Sequence, residues 1–92
     1  MKEIEIDSAL LSKIRSLSKE RKREIGGLIR LTQEMFGTPH AHSGVGLRDL
    51  GKRHYEVRDG LGTRFIFENR KDVLYFKKMG NHDEIRRFLK GL

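Results

Sequence analysis

The hydrophobic positions change period three times along the chain. Lys2 to Ile6 alternates, with Ile4 and Ile6 on one side and Glu3 and Glu5 on the other, which predicts a short half-buried strand. Leu10, Leu11, Ile14 and Leu17 then recur at helical spacing. Asp7 stands just ahead of them, where a carboxylate accepts from the first unpaired backbone N–H groups, so a helix is predicted over residues 8–18. A second stripe, Ile25, Leu28, Ile29, Thr32, Met35 and Phe36, predicts another helix that ends at Gly37, with Pro39 beyond it to prevent continuation. The polar run from Lys19 to Glu24 between the stripes reads as a solvated turn and first helical turn, giving an antiparallel helical hairpin. Gly26 and Gly27 each cost a helix up to about 1 kcal/mol relative to Ala, which predicts a close approach by the first helix at that point.

Residues 38–46 carry Pro39, Ser43, Gly44 and Gly46 and read as a loop. Leu47 and Leu50, three apart and followed by Gly51, predict a single helical turn. The period then falls to two. Over residues 53–58, Tyr55 and Val57 face one way and His54, Glu56 and Arg58 the other. Asp59-Gly60-Leu61-Gly62 is a hairpin turn signal. Over residues 63–68, Phe65 and Phe67 share the face that packs on the helices, leaving Arg64, Ile66 and Glu68 opposite. A further strand is predicted over residues 73–79, apolar up to Phe76 and without a readable facing. Asn81 with Glu84 three residues on is a capping-box pair, and Ile85, Phe88, Leu89 and Leu92 form the stripe of a last helix. The expected architecture is a single α+β domain over residues 1–92. In it, a short N-terminal strand and a helical hairpin pack on an antiparallel sheet of about four strands, with a short C-terminal helix.

Charge sharpens this picture. The 92 residues hold 20 Lys and Arg against 13 Asp and Glu, a net charge of +7, and that balance points to polyanionic partners. Residues 47–92 carry 12 basic and 7 acidic side chains, so the excess lies in the half that builds most of the sheet. There is no cysteine, hence no disulfide framework and no thiolate metal site. No apolar run approaches the ~20 residues that span a bilayer, and the N-terminus lacks a signal-peptide core, so a cytoplasmic protein without membrane contact is expected. His40 and His42 stand two apart without further ligands at a recognisable spacing, so neither a metal nor any other cofactor is expected.

On the sheet face away from the helices, His54, Glu56, Arg58 and Arg64 come together, with His82 beside them if the last helix starts next to its strand. Metal-free RNA cleavage needs a base for the 2′-hydroxyl, a cation for the phosphate and an acid for the departing 5′-oxygen. Here Glu56 or His54 is the candidate base, Arg58 and Arg64 the phosphate clamp, and His82 the acid. The candidate catalytic set is therefore His54, Glu56, Arg64 and His82. Lys52, Arg53, Arg58, Arg86 and Arg87 are the candidate phosphate-binding residues.

At these residues the chain resembles the RelE/ParE superfamily of toxins from type II toxin–antitoxin systems. The resemblance rests on Gly46 to Leu50, Tyr55 to Arg58, Arg64 to Phe67, Val73 to Phe76, and Gly80 to Ile85. It implies a β-α-α-β-β-β order with a further helix, cleavage of mRNA on the ribosome in RelE-like members, and neutralisation by an acidic, partly disordered antitoxin. Carried over by position, His54 and Glu56 fall where RelE-like toxins commonly have lysines. Arg58 and Arg64 match basic positions, His82 falls where a catalytic Arg or His is common, and Phe88 lies near the usual Tyr. ParE-like members instead inhibit DNA gyrase without such a set, and an inactive RNA-binding member is the remaining alternative.

Overall fold

The computed structural model describes residues 2–37, 46–58 and 62–91. The first strand, β1 (Glu3–Ile6), leads into α1 (Ser8–Arg15), whose N-terminus is capped as its sequence predicts: Asp7 accepts from the N–H groups of Ala9 and Leu10. A single turn separates it from α2 (Lys19–Gly37), where Ser18 accepts from the Arg21 N–H through its hydroxyl and from the Lys22 N–H through its carbonyl. The run of charges from Lys19 is thus the first part of α2 itself. Four strands follow: β2 (Gly46–Gly51), β3 (His54–Arg58), β4 (Arg64–Asn69) and β5 (Val73–Gly80). The chain closes with α3 (His82–Lys90).

The sheet has five strands in the order β1-β5-β4-β3-β2, and it is mixed, because β1 runs parallel to β5 while every other pair is antiparallel. That corrects the expected antiparallel sheet of about four. The helical hairpin carries the chain from β1 at one edge to β2 at the other, and the antiparallel run β2-β3-β4-β5 brings β5 back beside β1, a connection long enough for parallel pairing. The added strand is β2. Leu47 and Leu50 do not form a helical turn. Asp49 pairs with Tyr55 and Gly51 with His54, so Leu50 is an extra residue in a bulge. Their spacing of three comes from that interruption of a period of two.

One face of the sheet carries Val57, Phe65, Phe67, Leu74, Phe76 and Met79, which join Leu10, Ile25 and Leu28 of the two helices in one core. Its centre is aromatic: Phe67 stacks on Phe76 (5.1 Å between centroids) and on Tyr55 (5.6 Å), and Phe36 of α2 stands edge-on to Tyr55 and Phe67. Such pairs add about 0.5–1.5 kcal/mol each beyond burial, and here they tie three strands to a helix. Gly26 and Gly27 lie on the exposed side of α2, and a methyl group at either would meet nothing. The expected close approach of α1 is therefore absent there. Replacing each by Ala should stabilise the fold by up to about 1 kcal/mol in chemical denaturation.

The last helix begins at a full capping box, with the Asn81 side chain accepting from the Glu84 N–H and Glu84 accepting from the Asn81 N–H. That bond, with the Lys13 ammonium 3.7 Å away, holds the Glu84 carboxyl below its ordinary value. The folded chain therefore keeps Glu84 ionised at acidities where the unfolded chain has already protonated it. The contribution is complete above the unfolded glutamate's pKa and is lost as pH falls through the lower, folded one. Asn81→Ala removes only the acceptor for the Glu84 N–H and should lower stability by about 1 kcal/mol. Glu84→Gln should lower stability near neutrality, and urea melts between neutral and acidic pH should show its deficit shrinking as Glu84 titrates. A deficit independent of pH would contradict this account of the cap.

Candidate functional site

Direct cross-strand partners share a face, so the register lays out the surface opposite the helices row by row. One row is Gly46, Arg58, Arg64 and Gly80, and the next is Arg48, Glu56, Ile66 and Lys78. The third is Gly51, His54, Glu68 and Tyr75. The expected facing of His54, Glu56, Arg58 and Arg64 holds. The burial does not match an open cationic sheet throughout. Ile66, in the centre, is fully buried, and Glu56 beside it is only 5% exposed. The α3 helix lies against β4 and β5, with Ile85 buried.

Glu56 is the floor of a small cavity of about 150 Å³ lined by Gly46, Leu47, Arg48, Arg58 and Arg64. Arg64 donates to Glu56 Oε1 at 2.9 Å, and the two side chains are 18% and 7% exposed. A dry carboxylate is tolerated on a sheet only when a fixed cation faces it, and Arg64 is that cation. Among the described residues Arg48 and Arg58 have no ion-pair partner, so the cavity holds three guanidinium groups around one carboxylate. Arg58 lies over Gly46: a methyl group there would stand 2.9 Å from its Nε and 3.0 Å from its Cγ. Gly46→Ala should push Arg58 aside at little cost in stability, since the far end of that side chain is free to move, and should weaken RNA binding several-fold in a titration with a short oligonucleotide. Unchanged affinity would remove Arg58 from the site.

His82 opens α3 two residues after Gly80, the cross-strand partner of Arg64, so it belongs to the same end of the sheet as the arginine cavity. It is exposed and makes no hydrogen bond or ion pair among the described residues. His54 lies at the other end, four residues along β3 from Arg58, about 13 Å at the usual strand rise. Its Nδ1 is 2.8 Å from the Lys52 carbonyl oxygen and its Nε2 is 2.9 Å from Lys77 Nζ. The structure thus brings Glu56, Arg58 and Arg64 together, sets His82 at their end and keeps His54 apart from them. Lys52 and Arg53 form the tip of the β2–β3 hairpin, with φ of 50° and 65°. Arg86 and Arg87 are exposed on α3, where they line a shallow hollow with Asp83 and Lys90 and not the arginine cavity.

Three cations on this face were not among the sequence candidates: Arg48, Lys77 and Lys78. Between β4 and β5 the register shifts, with Phe67 opposite Phe76 and Ile66 opposite Lys78, so Lys77 is an extra residue in a bulge. Both lysines therefore reach the face of Ile66 and Glu68. The signal was present in the inward positions Leu74, Phe76 and Met79, whose spacing slips from two to three at the lysines. Glu68 lies between Arg70 (3.1 Å) and Lys77 (3.5 Å). Burial alone pushes its carboxyl up, but the bond from Arg70 and the Lys77 charge outweigh it and leave the value below the ordinary one. At the β1 edge, burial and the Asp7 carboxylate raise the Tyr75 phenol, which stays neutral and donates to Asp7 at 3.4 Å.

Among the described residues no three His, Asp or Glu converge as a metal site requires. The His40–His42 pair, Pro39 and the Asp59-Gly60-Leu61 turn lie outside the described residues, as does Leu92. No described helix is long and apolar enough to cross a membrane.

The order of elements and the mixed sheet have a counterpart among solved structures. A chain in the crystal structure of the RelB–RelE antitoxin–toxin complex from Methanococcus jannaschii superimposes with a TM-score of 0.63. The match covers 91% of this chain and 96% of that one at 12% identity. The fold is RelE-like. At that identity the likeness is one of architecture, and the RelE-like fold leaves the side chains to be read on their own terms. No protein-family model and no curated protein sequence matches the chain.

Proposed function

We propose that the protein is the toxin of a type II toxin–antitoxin pair and cleaves mRNA on the ribosome. The observation that carries this reading is the cavity of Arg48, Arg58 and Arg64 around Glu56 on the open face of a RelE-like sheet. Guanidinium groups hold a phosphodiester with paired, charge-assisted hydrogen bonds. When the phosphate draws Arg64 off Glu56, the freed carboxylate takes the proton of the neighbouring 2′-hydroxyl. The 2′-oxygen then bonds to phosphorus and the bond from phosphorus to the 5′-oxygen breaks. His82 gives its proton to that leaving oxygen. The products are a 2′,3′-cyclic phosphate and a 5′-hydroxyl end, formed with no group beyond the chain and the RNA. Geometry favours Glu56 over His54 as the base, because Glu56 and His82 both belong to the arginine end. A net charge of +7 suits an acidic antitoxin as the resting partner, as in the complex that the matched structure holds.

One observation favours a second reading, a ParE-like gyrase inhibitor without catalysis: Glu56 is already engaged by Arg64. Induced expression separates the two. The nuclease reading expects protein synthesis to stop within minutes while DNA stays intact, and growth to recover when Arg58→Ala or His82→Ala is expressed instead. DNA breakage and filamentation with translation continuing would establish the inhibitor. No arrest of either kind would leave an inactive RNA-binding member.

A further inference from the structure

The far end of the sheet face carries a second built feature, distinct from the arginine cavity. A carbonyl oxygen only accepts, so His54 Nδ1 carries the hydrogen and donates to the Lys52 oxygen. An ammonium only donates, so His54 Nε2 accepts from Lys77. The imidazole is thereby confined to one tautomer. Glu68, 3.5 Å from Nζ, takes a second Lys77 donor, and among the described residues the third is unpartnered. Lys77 is aimed from both sides with one donor to spare.

Two backbone irregularities produce this arrangement. The β5 bulge inserts Lys77 and turns it toward His54 and Glu68. The β2–β3 turn brings the Lys52 carbonyl to the ring, and both its central residues are left-handed. Such turns favour Asn-Gly, and Lys-Arg here is retained against that preference. Its effect is to bring the Lys52 carbonyl to the imidazole that holds Lys77, at a hairpin tip made of two cationic residues.

We propose that Lys77, oriented by His54 and flanked by the Lys52–Arg53 tip, binds a second phosphodiester of the same single-stranded RNA. It does so about 13 Å along β3 from the one held in the arginine cavity. The inference rests on the RNA reading above. His54 is then a positioning residue, and the spacing between the two sites fixes the register of the strand along the sheet.

The test uses 2′-O-methyl RNA oligomers of two to eight nucleotides, which bind but lack the nucleophile. For the wild-type protein, affinity should rise roughly tenfold at the length that first reaches both sites, the value of one charge-assisted contact. Lys77→Met should keep the affinity for the shortest oligomers and lose the step. A Lys52→Asn/Arg53→Gly variant should diminish the step while melting at a higher temperature, which rules out misfolding as the cause. The salt slope for the longest oligomer should fall by roughly 0.7 for each contact removed. Lys77→Met should also shift the Nε2 resonance in the ¹⁵N spectrum of His54, while Nδ1 stays protonated against the Lys52 carbonyl. A wild-type affinity without a length step, or a step unchanged in Lys77→Met, overturns the second site alone. Failure of the wild-type protein to bind any oligomer overturns the RNA reading itself.

Discussion

Arg64→Ala is expected to lower the unfolding free energy by about 3 kcal/mol, among the largest losses available from any one polar side chain in this fold. The reason is the stranded partner. Glu56 sits beside fully buried Ile66, and Arg64 is the one cation that donates to it among the described residues. Without the guanidinium, a nearly dry carboxylate has to ionise unpaired, take up a proton or drag in water. Removing the charge as well should undo part of the damage: Arg64→Ala combined with Glu56→Leu should recover much of the loss, because no buried charge is then left without a partner. Equilibrium denaturation of the two variants measures this directly. Equal instability in both would mean that Arg64 contributes through packing, not by neutralising Glu56. The comparison bears on function too, since the restored double variant should fold and remain inactive.

The second large effect is on chemistry. Glu56→Gln keeps an oxygen for Arg64 and the shape of the cavity but removes the group that receives the 2′-hydroxyl proton. Cleavage should fall by about 10²- to 10⁴-fold, the usual contribution of a positioned general base, with a melting temperature within a few degrees of wild type. His82→Ala should give a loss of the same order by withholding the proton from the leaving oxygen. It should spare stability entirely, because His82 is exposed and unbonded. If Glu56→Gln retained activity while a His54 variant abolished it, the base would lie at the other end of β3 and the two sites would exchange roles.

Much of this was legible in the chain, and what was not has identifiable causes. The helices and their caps were readable because Asp7, Asn81 and Glu84 act on backbone groups within a few residues. The facing of β3 and β4 was readable because their alternation is uninterrupted. Both errors of element and facing arose at bulges. Leu50 in β2 and Lys77 in β5 each insert one residue, which turns a period of two into a local spacing of three. A local reading takes Leu47 and Leu50 for helix and finds no facing in β5. Pairing with a neighbouring strand resolves both, and pairing is a long-range fact. The parallel placement of β1 is likewise long-range, because the chain crosses the whole sheet from β2 to β5 before β5 offers β1 its open edge.

The candidate site divides in the same way. Residue types and their common face were readable, but not which charges would neutralise one another. Glu56 was expected on an exposed surface and lies instead beneath Arg64, beside the fully buried Ile66. Arg48 escaped notice because the strand that carries it did. Gly26 and Gly27 show the opposite failure: a small residue inside a helix implies a contact only when something lies opposite, and here nothing does.

The most direct measurement maps mRNA ends in a reconstituted translation reaction given the purified protein. The arginine-ringed carboxylate should generate new 5′-hydroxyl ends within ribosome-bound message in minutes. Those ends should vanish with Glu56→Gln and with Arg58→Ala, while both variants stay folded. Message that remains intact under the wild-type protein, or cleavage that persists undiminished in both variants, would contradict the account.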